Sequence, residues 1–268
     1  MAAVHCPAAL AQAAFRVPGA LSPVHEKNVL PSRLSGHPLI VVHATRGFDE
    51  MASAAGGVDA VISSFKAKKR PVVYLVGDQS PKGYSDWYTG DRRPDHELFS
   101  EGGEHNLPLT GDAVTVVGGF FGSYDGNRGC QTLAVRDAIR MHFESSERPF
   151  TVFLPVRALY FYEEDSAMRR TLLSLDAMTA SEGKLRGIFG NFASLFFLTD
   201  NFSDVPAFGH PYLSGPGRQN KDYREGASVD VDGYSFELFF GGRPVAAFGR
   251  GPRKVRLMLD NGEPKGGD

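Results

Sequence analysis

The residues best suited to chemistry surround Cys130. It follows the stretch Gly118-Gly119-Phe120-Phe121-Gly122-Ser123-Tyr124-Asp125-Gly126-Asn127-Arg128-Gly129. The glycines and the Asp125-Gly126-Asn127 segment permit tight turns with positive φ. A buried-strand pattern, Ala113 to Gly118, precedes this stretch, and a helical segment at about 130–143 follows it. A thiol at a helix start has a lowered pKa and an enriched thiolate, the form that attacks an electrophile. The same residues also read as a structural loop ending in a buried, inert cysteine. Their glycine spacing fits neither a P-loop nor a dinucleotide fingerprint, because no Gly-Lys-Ser/Thr ending and no regular spacing occur.

The elements that must position these groups come next. Pro38 to Val42, Pro71 to Asp78, Ala113 to Gly118 and Thr151 to Val156 are short apolar runs rich in β-branched residues. Such runs are typical of strands buried on both faces. Val58, Val61, Ile62 and Phe65 fall at helical spacing between the first two runs, with Gly56-Gly57 before the helix and Pro71 after it. Alternating strands and helices predict an α/β fold, a mostly parallel sheet covered by helices in three layers. A helix is expected at about 166–179. Residues 229–260 read as a C-terminal antiparallel β meander. The organisation expected is an extended arm at 1–36, an α/β core at 37–165, and a helix-plus-meander extension of the same globule at 166–268.

In an open parallel sheet, ligands bind outside the carboxyl ends of the strands. That rule selects His43, Thr45 and Arg46 after the first strand and Asp78 and Gln79 after the second. It selects Ser123, Asp125, Asn127 and Cys130 after the third and Arg157 after the fourth. In a catalytic reading, Cys130 is the nucleophile, His43 or Asp78 the base, and amides of the 118–130 loop the oxyanion donors. Gly119, Ser123, Asp125, Asn127 and Arg157 are the expected ligand-binding residues.

The 79–110 segment is long and polar, and holds Tyr84, Trp87 and Tyr88 as a stacking wall or as anchors to the core. His96, Glu97, Glu101, Glu104 and His105 offer nitrogen and oxygen donors, but HExxH spacing is absent. A solvated polar loop is the preferred reading, and no metal or cofactor is expected.

Composition narrows the partners. The net charge of −2 leaves no basic footprint for nucleic acid. No apolar run reaches the 18 residues of a membrane span. The cluster Lys66-Ala67-Lys68-Lys69-Arg70 reads as a solvated helix end. Met1 to Ala14 lacks a basic start, and Pro7 interrupts its apolar stretch, so a surface arm is preferred over an export signal. The two cysteines, Cys6 and Cys130, are expected as free thiols in a reducing, cytoplasmic compartment. A bridge between them would require export.

Pro71-Val72-Val73-Tyr74 and Cys130-Gln131-Thr132-Leu133-Ala134-Val135-Arg136-Asp137-Ala138 resemble the second strand and nucleophile helix of the isochorismatase-like cysteine hydrolases. The resemblance covers about residues 38–157. It implies a parallel-sheet hydrolase with Cys130 as nucleophile. The chain departs from that pattern where His43 replaces an acidic residue and where no lysine lies between Lys82 and Ala113. The departures imply an inactive or very divergent relative.

Three readings follow. One is a small-molecule hydrolase or transferase, thiol-dependent, working at the strand carboxyl ends. Another is a module that binds a small polar or anionic molecule there without chemistry. The third is a structural or assembly protein whose N-terminal arm and C-terminal meander contact neighbouring chains, with a homo-oligomer possible through the arm.

Overall fold

The computed structural model describes residues 33–44, 48–76, 93–100, 102–121, 123–124, 127–161, 166–176, 179–185, 233–249 and 251–261. The first four-residue strand, β1 (Leu39–Val42), is buried along its whole length. After it come a 3-10 turn at Asp49–Ser53 and helix α1 (Ala55–Ala67). Strands β2 (Val72–Val76), β3 (His96–Phe99) and β4 (Ala113–Phe121) follow. A small antiparallel pair, β5 (Ser123–Tyr124) and β6 (Asn127–Arg128), leads into α2 (Cys130–Ser145). Then come β7 (Phe150–Pro155), a 3-10 turn, β8 (Leu159–Phe161) and α3 (Ser166–Ser174). The C-terminal strands are β9 (Tyr234–Phe240), β10 (Arg243–Gly249) and β11 (Arg253–Asp260).

The main sheet runs β10-β9-β11-β7-β4-β1-β2-β3, with β8 on the carboxyl half of β4. Every pairing is parallel except β9 with β10. The four strands expected from apolar runs are therefore adjacent and parallel. The α/β architecture is as the sequence predicts.

Period-two alternation splits the core into two layers. Ile40, Val42, Val73, Leu75, Val114 and Val116 face α2, whose Ala134, Val135, Ala138 and Ile139 cover them. Leu39, Val41, Val72 and Tyr74 face α1, which buries the expected stripe Val58, Val61, Ile62 and Phe65. Burying a side chain of this size stabilises by roughly 1.5–3 kcal/mol.

Several expectations change. Helix α1 starts at Ala55, so Gly56 and Gly57 lie inside it. A Cβ on Gly57 would strike the Arg157 carbonyl, so this glycine lets the helix close on the β7–β8 turn. The 79–110 segment contains a strand: β3 pairs with β2, and Glu97 and His105 are buried rather than solvated. Residues 77–92, with Asp78, Gln79, Tyr84, Trp87 and Tyr88, lie outside the described residues.

The C-terminal region holds an antiparallel hairpin, β9–β10. Strand β11 does not continue it as a meander: it inserts between β9 and β7, parallel to both. Through β11 the C-terminal strands share one sheet with the rest. The segment 229–232 is outside the described residues, and α3 is described to Ser174.

The end of the expected arm packs tightly. Leu34 is 2% exposed. Its N–H donates to the Pro108 carbonyl at 2.8 Å, and its carbonyl accepts from Thr110 N–H at 3.1 Å. Residues 1–32 lie outside the described residues. None of the described helices is long and apolar enough to cross a membrane.

Candidate functional site

Strand order reverses beside β1. From β1 the chain steps to β2 and β3 on one side, then returns to β4 and β7 on the other. The connections above β1 and β4 therefore diverge, which is where open α/β sheets form a crevice.

His43 stands at that point. It directly follows β1 with a φ of 48°, a left-handed conformation that costs a non-glycine residue energy. Its side chain is 2% exposed, and Nε2–H donates to the Ser100 carbonyl at 2.6 Å. A carbonyl only accepts, so Nε2 carries a proton. Burial lowers its pKa to about 4, partly opposed by the Ser100 hydrogen bond. A base with so low a pKa takes up protons poorly at neutral pH. His43 therefore fits better as a fixed positioning group than as the expected base.

Strand β4 pairs with β1 over Thr115–Gly118, and Gly118, opposite Val42, is followed by Gly119. Gly118 has a φ of 94°, and a Cβ there would collide with the Val42 carbonyl. A Cβ on Gly119 would strike the Tyr160 ring. Both residues lie within β4, not in a loop, and the Gly119–Phe120 peptide is cis. The space beside Gly119, expected to admit a ligand, is filled by Tyr160. The rings of Phe48, Phe120 and Tyr160 pack together on the α1 face.

Ser100 ends β3. Its N–H donates to the Val76 carbonyl at 2.8 Å, while its carbonyl takes the His43 proton. Its hydroxyl is buried and has no hydrogen-bond partner among the described residues. The same segment reaches α2 at Gly103, which packs directly on the Cys130 carbonyl. One connection thus touches both His43 and the first residue of α2.

Cys130 opens α2, as expected, after Gly129, which has no side chain to cap the helix. It is fully buried and disulfide-bonded. This corrects the expectation of a free thiol: a sulfur in a disulfide has no thiolate to attack with. Disulfides persist in oxidising surroundings. The second cysteine, Cys6, lies outside the described residues.

Gln131, next in α2, is completely buried, and neither Oε1 nor Nε2 has a hydrogen-bond partner among the described residues. It shares the sheet-facing stripe of Ala134 and Ala138 at helical spacing.

The other expected residues divide. The backbones of Ser123 and Asn127 form the β5–β6 pair, while Asp125, Thr45 and Arg46 lie outside the described residues. Arg157 is exposed, and its carbonyl accepts from Arg169 at 3.4 Å. Arg169 also donates to the carbonyls of Leu159 at 2.8 Å and Ser53 at 2.9 Å, tying α3 to the connections around the edge. Among the described residues, no group of three or more His, Cys, Asp or Glu side chains is placed to hold a metal.

Sequence reasoning missed Ser100, Gln131 and Tyr160. The edge rule would have reached Ser100 had β3 been recognised. The chain matches no protein-family model, no curated protein and no solved structure.

Proposed function

We propose that this protein binds a small polar molecule at the carboxyl edge of its sheet, in the crevice between β1 and β4. The reversal of strand order at these two strands carries the reading. Buried polar side chains at the same edge support it: His43, Ser100 and Gln131 would be costly there without polar company. Binding without thiol chemistry fits a disulfide-bonded Cys130 and a neutral, weakly basic His43.

Amide NMR of the whole protein titrated with malate, inorganic phosphate, ribose 5-phosphate and uridine tests it. At least one should move signals at 43–44, 100–104, 118–121 and 129–132 together. If no member of the panel moves them, the reading fails.

A second reading is favoured by one observation, the position of Cys130 as the first residue of α2. In the reduced protein, the helix start would lower the thiol pKa and allow the isochorismatase-like hydrolase or transferase role. Iodoacetamide labelling after reduction tests it. A Cys130 that stays unlabelled in the folded, reduced protein removes that role.

A further inference from the structure

Gln131 is the least explained polar side chain at the edge. A buried amide offers two N–H donors and an acceptor, and such groups are nearly always paired. Both ends of this one lack a partner among the described residues, while Ala134 and Ala138 on the same stripe pack into the sheet core. Helical side chains lean toward the helix start. Gly103, just after β3, packs on the Cys130 carbonyl, which places the start of α2, and Gln131 with it, at the carboxyl end of the strands. The Ser100 hydroxyl, also buried and unpartnered, sits on the connection that reaches Cys130 through Gly103. The Ser100 main chain is held from both sides, its N–H by the Val76 carbonyl and its carbonyl by His43.

The geometry points to Gln131 as a specificity residue that reads an amide-type edge, one donor beside one acceptor, on the molecule bound at the β1–β4 crevice. This rests on the binding reading above and names the ligand's chemistry. A carboxylate offers only acceptors, so it would satisfy Nε2 and set its lone pairs against Oε1. An ammonium offers only donors and fails at the other end. A neutral group with both, such as a primary carboxamide or a nucleobase edge, satisfies the two together. Sites built to hydrogen-bond a polar group discriminate strongly against analogues that cannot return the bonds.

The experiment compares benzamide, uracil and benzoate on the full chain, by titration calorimetry and by the side-chain NH2 signals of Gln131. Those signals are assigned by their loss in Gln131→Met. Benzamide or uracil should bind at least about tenfold more tightly than benzoate and move the signals. Benzamide as the binder assigns a carboxamide ligand, and uracil alone assigns a nucleobase. Gln131→Met should abolish the preference. The inference is overturned if benzoate binds as well, if the variant keeps the preference, or if the signals stay still because a structural water satisfies the amide. The NMR readout in the unaltered protein stands even where the variant fails to fold. If malate or phosphate perturbs the edge while benzamide and uracil do not, this inference fails and the binding reading survives. If no compound of either set does so, both fail.

Discussion

The phenol of Tyr160 donates a hydrogen bond to the main-chain oxygen of His43 at 2.7 Å, across 117 residues of sequence. The same ring lies over Gly119. One side chain therefore joins the ends of β1, β4 and β8 at the point where strand order reverses. Tyr160 is 0% exposed, so the bond is shielded from water.

Tyr160→Phe keeps the ring and leaves the His43 carbonyl buried without this donor. The expected cost is ~1–3 kcal/mol, the penalty of one orphaned buried group. Chemical denaturation should show an earlier midpoint with an unchanged slope. A midpoint equal to that of the parent protein would contradict the geometry.

Gly119→Ala should destabilise through its clash with Tyr160, and a second change can relieve it. In a Tyr160→Ala background, the added methyl meets open space instead of a ring. A double-mutant cycle should therefore give a coupling energy of about 0.5–3 kcal/mol, with the double variant less damaged than the sum of the singles. Gly118→Ala should find no such relief, because its clash is with the Val42 carbonyl and its φ is positive. Strict additivity at Gly119 would refute the contact.

Acid should weaken the fold from above pH 6. His37, His43 and His105 each have a pKa lowered from 6.5 to about 4, chiefly by burial. His37 is further lowered by Arg70 and Lys68; at His105 the nearby Asp137 works in the opposite direction. His105 donates from Nε2 to the Ala134 carbonyl at 3.0 Å and accepts Leu107 N–H at 3.3 Å, so protonating Nδ1 breaks a bond. Between about pH 6.5 and 4 the unfolded chain binds protons that the native state refuses. Stability is therefore full above 6.5, is lost as pH falls through that window, and levels off below 4. Each histidine contributes on the order of a few kcal/mol. Urea midpoints at several pH values check this. A flat profile over the window would be the contrary result, and His105→Gln should make the slope shallower.

Much of the fold was legible because burial on both faces leaves a mark. Leu39–Val42, Val72–Val76 and Phe150–Pro155 are short strands with continuous or nearly continuous apolar sequence, and helix α1 carries a clean stripe. Strand β3 reads His96-Glu97-Leu98-Phe99, and its polar half hid an edge strand inside a polar stretch. The alternation of Tyr234, Phe236, Leu238 and Phe240 fixes a buried face of β9 but names no neighbour. That is why the insertion of β11 beside β7 was not readable.

At the site, the edge rule reached His43 and Cys130. It could not reach Gln131 or Tyr160. Gln131 is one polar residue in an ordinary helix pattern, and Tyr160 lies on a three-residue strand after Pro155. Their roles depend on what they touch or fail to touch, which periodicity does not encode.

Asp137 is a buried carboxylate on α2 whose loss should be felt. Its carboxylate is 1% exposed; it accepts the His105 N–H at 2.9 Å and pairs with Arg136 at 2.9 Å and Arg140 at 3.4 Å. Asp137→Ala leaves the buried His105 N–H without its acceptor and removes the anion from two partly exposed arginines, expected to cost ~1–3 kcal/mol. Asp137→Asn keeps an acceptor for His105 and should cost less. Denaturation midpoints should rank parent above Asn above Ala; equal losses would mean that only the charge matters.

The last prediction concerns the sulfur of Cys130. As a disulfide it has no thiol to alkylate, so the native, oxidised protein should take up no iodoacetamide at this residue. Reduction exposes two opposing effects. The start of α2 favours the thiolate, while full burial disfavours any charge. Labelling across pH after reduction, with Cys130→Ser to subtract Cys6, separates them. An apparent pKa below ~8.5 means the helix start dominates and revives the thiol-dependent reading. A value above it, or no labelling while the fold persists, leaves Cys130 a structural residue. Reduction should also lower the melting temperature, because losing a native disulfide typically costs ~2–5 kcal/mol. Alkylation of Cys130 in the unreduced, folded protein would contradict the disulfide itself, and with it the argument that the edge binds its ligand without thiol chemistry.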